Sequence, residues 1–270
     1  MRISILVLFT ILLFSSCSEY QRVLKEPDAA AKYSYAEMLY NEGSYKKALK
    51  LMEQIVPVFR GKPQAEKLMF MYASTYYSLG DHYLSGYQFE RFVNSYPKSD
   101  SVEYAAYLSA ESYYHLSPIF SKDQTETRKG LEKLQIFIDN FPDSEYRIEA
   151  NQKVSELRYK LEKKDIEIAK QYLKLGEALA TYTNAIAAFD NFISDHPGSV
   201  FRVDAFFGRF DAAYQLALQS VPSKINGRLL IAKEYYTDFI KYYKESELMP
   251  EAEKIMADIE TRLTNTETSS

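Results

Sequence analysis

The segment FERFVNSYPKS, residues 89–99, decides how this chain folds, because it occurs four times. Its counterparts are LQIFIDNFPDS at 134–144, FDNFISDHPGS at 189–199 and YTDFIKYYKES at 236–246. Each copy begins with an aromatic residue or Leu. Phe follows three positions later, at Phe92, Phe137, Phe192 and Phe239, and Val or Ile comes next. Pro stands five positions after that Phe in three copies, as Pro97, Pro142 and Pro197. Ser comes two positions further on in all four, as Ser99, Ser144, Ser199 and Ser246. Ala lies six beyond each Ser, at Ala105, Ala150, Ala205 and Ala252. Self-similarity at so many fixed offsets marks a repeat architecture.

A second pattern precedes each copy: Ala, then an aromatic or Leu pair, then a small residue at a turn. It reads Ala36, Leu39, Tyr40, Gly43; Ala73, Tyr76, Tyr77, Gly80; Ala110, Tyr113, Tyr114, Ser117; and Ala169, Tyr172, Leu173, Gly176. A degenerate fifth is Phe210, Ala213, Tyr214, Ala217. The unit is a helix–turn–helix. Ala lets a partner helix approach, Gly or Ser leaves the first helix at low steric cost, and the second helix is apolar at i, i+3 and i+4. Pro ends the second helix, because the residue before Pro is pushed out of the α region. The pattern resembles the tetratricopeptide repeat, most closely at Ala36, Gly43, Tyr45 and Ala48. A single unit cannot bury its apolar face, whereas stacked units can. The expected fold is all-α: a solenoid of about five such repeats.

Two departures from the repeat carry information. Between Leu116 and Gly130 the third unit holds the insertion SPIFSKDQTETRK, longer than a tight helix turn needs. From Ala150 to Leu175 apolar residues continue at heptad spacing through Val154, Leu157, Leu161, Ile168 and Tyr172. That spacing predicts one long helix joining the first three repeats to the last two. The alternative is a pair of helices broken at the charged Lys163 and Lys164.

Composition agrees with helices on short connections, since Gly and Pro number only nine each. A net charge of -4 spread along the chain gives no basic face for nucleic acid. Chemistry-bearing patterns are absent. His82, His115 and His196 are far apart in sequence and none stands at ligand spacing from a Cys or another His, so no metal site is expected. His196 fills the slot held by Tyr96 and Phe141 in other copies, a packing position. No Gly-rich phosphate loop, GxSxG or CxxC occurs. No enzyme activity is expected.

The chain's start does not belong to the repeats. Arg2 is followed by ISILVLFTILLF, too short to span a bilayer and suited to the apolar core of an export signal. It runs into Ser15, Ser16 and Cys17, which resembles the bacterial lipobox, although Phe14 departs from the usual aliphatic residue there. The resemblance implies cleavage before Cys17 and acylation of Cys17, whose lipid would hold the chain to a membrane. The other reading is an ordinary signal peptide, or an uncleaved anchor, with a chance Cys. Cysteine usage favours the lipobox: Cys17 is the chain's only Cys, and an exported chain with one Cys can form no internal disulfide. No other cofactor is expected. Ser18 in place of Asp points to the outer membrane, and the periplasmic face is the expected side.

The expected organisation is a signal peptide over 1–16, a lipidated N-terminus and tether over 17–31 and three repeats over 32–150. A long helix with two further repeats over 151–263 and a frayed tail over 264–270 complete it. The tether from Ser18 to Ala31 would reach at most roughly 50 Å if extended.

Tyr40, Tyr77 and Tyr114 share one register of the first helices. By the tetratricopeptide pattern they would line a groove with Asn41, a strip suited to binding peptides. The competing reading is that they fill the inter-repeat core.

Taken from about Tyr33 to Leu263, the order of elements resembles the BamD family of lipoproteins, subunits of the outer-membrane β-barrel assembly machinery. The stretches Phe89–Ser99 and Lys122–Ala213 carry most of the likeness. It implies that the first three repeats would offer a groove to unfolded outer-membrane proteins. The last two would dock on BamA, the barrel-forming subunit. Two other classes share part of the pattern. Glycan-capturing lipoproteins of the SusD type stack sugars on aromatics, but Trp is absent here, and this chain lacks room for their extra region. Periplasmic repeat adaptors of envelope synthesis carry an N-terminal coiled coil that is not evident here.

Overall fold

A computed structural model describes residues 19–267, in which thirteen helices and no strand occur. The signal segment and Cys17 lie outside the described residues. The chain divides into two compact units. The first runs to Pro118 and adds Gln124–Leu157; the second comprises Ile119–Asp123 and everything from Arg158 onward.

In the first unit a short helix α1 (residues 19–25) precedes three helical pairs. These are α2 (Ala29–Asn41) with α3 (Tyr45–Phe59), α4 (Ala65–Ser78) with α5 (His82–Ser95), and α6 (Val102–His115) with α7 (Thr125–Asn140). The N-terminal half of α8 (Arg147–Lys174) closes the unit. The second unit holds the rest of α8, the short α9 (Gly176–Leu179) and α10 (Tyr182–Asp195). The pair α11 (Arg202–Leu218) and α12 (Pro222–Tyr243) follows, and then α13 (Met249–Glu267). The all-α helix–turn–helix repeat read from the sequence is the observed architecture.

Each recurring residue has a structural task. Gly43 and Gly80 take the left-handed conformation, with φ of 74° and 77°. The chain then folds back so that the Ser44 N–H donates to the Leu39 carbonyl at 2.8 Å, and the Asp81 N–H to that of Tyr76 at 3.0 Å. The repeated Ser closes the turn that leads into the next helix. The oxygens of Ser99, Ser144, Ser199 and Ser246 each accept the backbone N–H two residues on, at 3.1 Å in every case. The four Ala residues that follow are fully buried, leaving room for the preceding helix. The repeated Phe residues are likewise in the core.

Several expectations are corrected. The stretch read as a tether is not extended over its described part: residues 19–25 are helical, and Tyr20 and Val23 are buried in the first core cluster. The insertion is shorter than expected, because α7 already begins at Thr125. Helix α8 is continuous through Lys163 and Lys164, where Lys163 pairs with Glu167 one turn on at 2.7 Å. A single heptad seam does not run its length, however. Ala150, Val154 and Leu157 are buried in the first unit, and Ile166 and Ala169 in the second, while Ile168 and Tyr172 are exposed. Gly176 does not end α8 by a left-handed turn. It lies under the Tyr182 ring, whose nearest atom would stand 2.0 Å from an added Cβ, and Ala180 takes the positive φ instead.

Candidate binding surface

In the first unit, α4, α6 and the start of α8 carry a connected polar network. Tyr77 on α4 donates its hydroxyl to Glu111 on α6 at 2.8 Å. Glu111 also accepts from Tyr107 at 3.3 Å and pairs with the Lys153 ammonium of α8 at 3.0 Å. Lys153 donates to the Tyr107 hydroxyl at 2.9 Å and pairs with Glu149 one turn before it. Its ammonium lies 5.4 Å from the centroid of the Tyr107 ring and 5.6 Å from that of Tyr114, in cation–π range. Tyr114 in turn donates to Glu156. An ion pair between Glu37 and Lys67 ties α2 to α4 in the same way.

The network lies largely out of water. The side chains of Lys153 and Glu111 are 10% and 13% exposed. Burial alone would depress the Lys153 ammonium, but the hydrogen bonds it donates to Glu149, Tyr107 and Glu111 outweigh it and hold its pKa above the usual lysine value. Burial, then the hydrogen bond to Glu111, pushes the Tyr77 phenol up. Lys153 holds the Glu149 carboxyl below its usual range. Lys153 and Glu149 therefore stay charged at neutral pH.

A histidine pair adjoins the network. The rings of His82 and His115 stack at 4.5 Å, and Tyr77 meets them edge-on at 5.5 and 6.3 Å. Burial, and then the His115 charge, lowers the His82 pKa, and its buried Nδ1 meets no protein partner. Among the described residues no group of His, Cys, Asp and Glu could hold a metal ion.

The structure places the residues picked from the sequence unequally. Tyr77 and Tyr114 enter one network through Glu111 and Lys153. Both are half-buried, with rings against the second core cluster and hydroxyls in the polar network. Tyr40 joins neither. It packs on the first cluster and meets Tyr45 edge-on at 5.7 Å, while Asn41 is exposed beside it. Ser78 and His115, next to Tyr77 and Tyr114, are exposed as well. His196 packs on Phe192 at 4.7 Å and faces Asp165 at 3.2 Å, the packing position expected of it. The sequence reading passed over Lys153. Its signal was a cation set among the apolar positions Ala150, Val154 and Leu157 of one helix.

Residues 25–182, more than half the chain, match the YfiO family, described as outer membrane lipoprotein. The chain belongs to this family. The YfiO match covers all three pairs of the first unit, the whole of α8 and the start of α10. Among curated proteins the chain is similar to the outer membrane protein assembly factor BamD of Caulobacter vibrioides, 28% identical over 172 residues. That alignment covers 62% of this chain and 55% of the relative, so the chain spans about half of that protein's length. It is also similar to the BamD of Rickettsia prowazekii, 26% identical over 193 residues, covering 69% of this chain and 75% of that one. The Xylella fastidiosa protein of the same name is 22% identical over 213 residues, covering 74% of this chain and 71% of its own. No described helix is long and apolar enough to cross a membrane.

Proposed function

We propose that this chain is a lipid-anchored scaffold of outer-membrane protein assembly, acting by binding and not by catalysis. Acylated Cys17 would hold it to the outer membrane on the periplasmic side. The α2, α4, α6 and α8 surface of the first unit would receive unfolded segments of outer-membrane proteins. The second unit would dock on a BamA-like barrel subunit. Family membership and the similarity to assembly factors named BamD support the setting. The observation that carries the binding role is the Tyr77, Glu111, Lys153, Tyr114 network. It fixes aromatic rings and charges in one place, so a bound segment would meet side chains whose entropy is already lost. The mechanism is positional: two partners held on one chain meet at a raised effective concentration.

Replacing the three tyrosines by Ala would confound binding with packing, since their rings fill core space. Photo-crosslinking residues at the exposed Asn41 and Ser78 avoid this problem. They should capture an unfolded outer-membrane protein, while the same probe at exposed Asn94 on α5 should not. Equal capture from both sets would rule out this surface as the receiving one.

A further inference from the structure

We propose that the first repeat carries a membrane-contact face, formed by Lys46, Lys47 and Lys50 of α3, that meets anionic lipid headgroups beside the anchor. The inference rests on acylation of Cys17 as stated under the proposed function. It starts from the docking of α1. Tyr20 and Val23 are buried in the first core cluster, and Leu24 packs against it. Only three peptide steps separate Cys17 from Tyr20, a span of at most about 11 Å. An acylated Cys17 would therefore hold the first repeat against the headgroups. A free tether of fourteen residues would let every face of the chain sample the membrane; a docked α1 presents one.

A run of lysines on α3 lies next to Tyr20. The Lys47 ammonium lies 5.6 Å from the centroid of the Tyr20 ring, which places α3 beside the chain's approach to the lipid. Lys46, Lys47 and Lys50 are all exposed. Their spacings of three and four residues put them on one side of the helix. Among the described residues none of the three is in an ion pair, whereas the nearby Glu19 is taken up by Arg22 at 3.6 Å. Each lysine near an anionic surface favours contact by about fivefold, an attraction that salt screens.

The test uses the lipidated full chain. Mass spectrometry of its N-terminal peptide first reads whether Cys17 carries lipid, so failure of the anchor is seen separately. The lipidated protein is then placed on phosphatidylcholine vesicles with and without about one-third phosphatidylglycerol. A water-soluble amine-acylating reagent reads each lysine against the unlipidated chain in solution. The expected result is that Lys46, Lys47 and Lys50 react at least about threefold more slowly on the anionic vesicles, and that about 0.5 M salt removes the difference. An anchored chain whose three lysines react at the solution rate overturns the proposal, and so does equal shielding on pure phosphatidylcholine. Shielding seen only in a detergent-solubilised complex would assign the face to a protein partner and overturn it too.

Discussion

Lys153 is where the first unit concentrates its buried charge, and removing it should be costly. In Lys153→Met the Glu111 carboxylate keeps its hydrogen bonds from Tyr77 and Tyr107 but loses its cation. Leaving one partner of a buried ion pair uncompensated costs about 3–5 kcal/mol, to be read by chemical denaturation. Adding Glu111→Gln should recover part of the loss. His82 gives a pH signature. Its pKa is lowered by burial and by His115, so between its folded pKa and the ordinary value of 6.5 the unfolded chain binds more protons. Its contribution is full above 6.5 and is lost as pH falls through the folded pKa. Stability should therefore drop as pH falls below 6.5, and His82→Phe, which keeps a ring in the stack, should flatten that drop. Neither residue could be placed from the sequence. The His82 and His115 stack and the Glu111 and Lys153 pair join different helices, and spacing along the chain reveals only neighbours within one helix.

At the scale of elements, the recurring Ser residues were plain in the sequence and their work is the same in every copy. Ser144 accepts the Tyr146 N–H at 3.1 Å as α8 begins, and its own hydroxyl donates to Glu103 at 2.6 Å. Ser144→Ala should cost about 1 kcal/mol, the usual net loss of a hydrogen bond, with no change of fold in the circular dichroism spectrum. Gly208 on α11 is less forgiving. An added Cβ would stand 2.3 Å from the Phe189 ring, so Gly208→Ala should cost about 3 kcal/mol through overpacking, measured as a lower denaturation midpoint. The helix pairs were legible because their apolar period repeats. The burial phase of α8 was not. Ile168 continues the heptad count, yet Ile166 and Ala169 are the buried residues, because which side of a helix is covered depends on the neighbour that packs there.

For the whole molecule, the order of repeats from Tyr33 to Leu263 carried the family, and residues 25–182 match it. What the sequence concealed was the fate of the segment after Cys17. Its polar composition reads as a linker, but Tyr20 and Val23 repeat at a spacing of three and bury themselves on the first repeat. On the proposed anchoring, Cys17→Ala should remove the acyl chains and lose stable membrane attachment, while thermal unfolding of the repeats stays unchanged. The most direct measurement is a pull-down of the full chain from detergent-solubilised outer membrane, with captured proteins identified by mass spectrometry. Recovery of a BamA-like barrel protein with the intact chain is expected. Capture of no barrel protein, from membranes in which the chain itself is present and anchored, would contradict the proposed scaffold role.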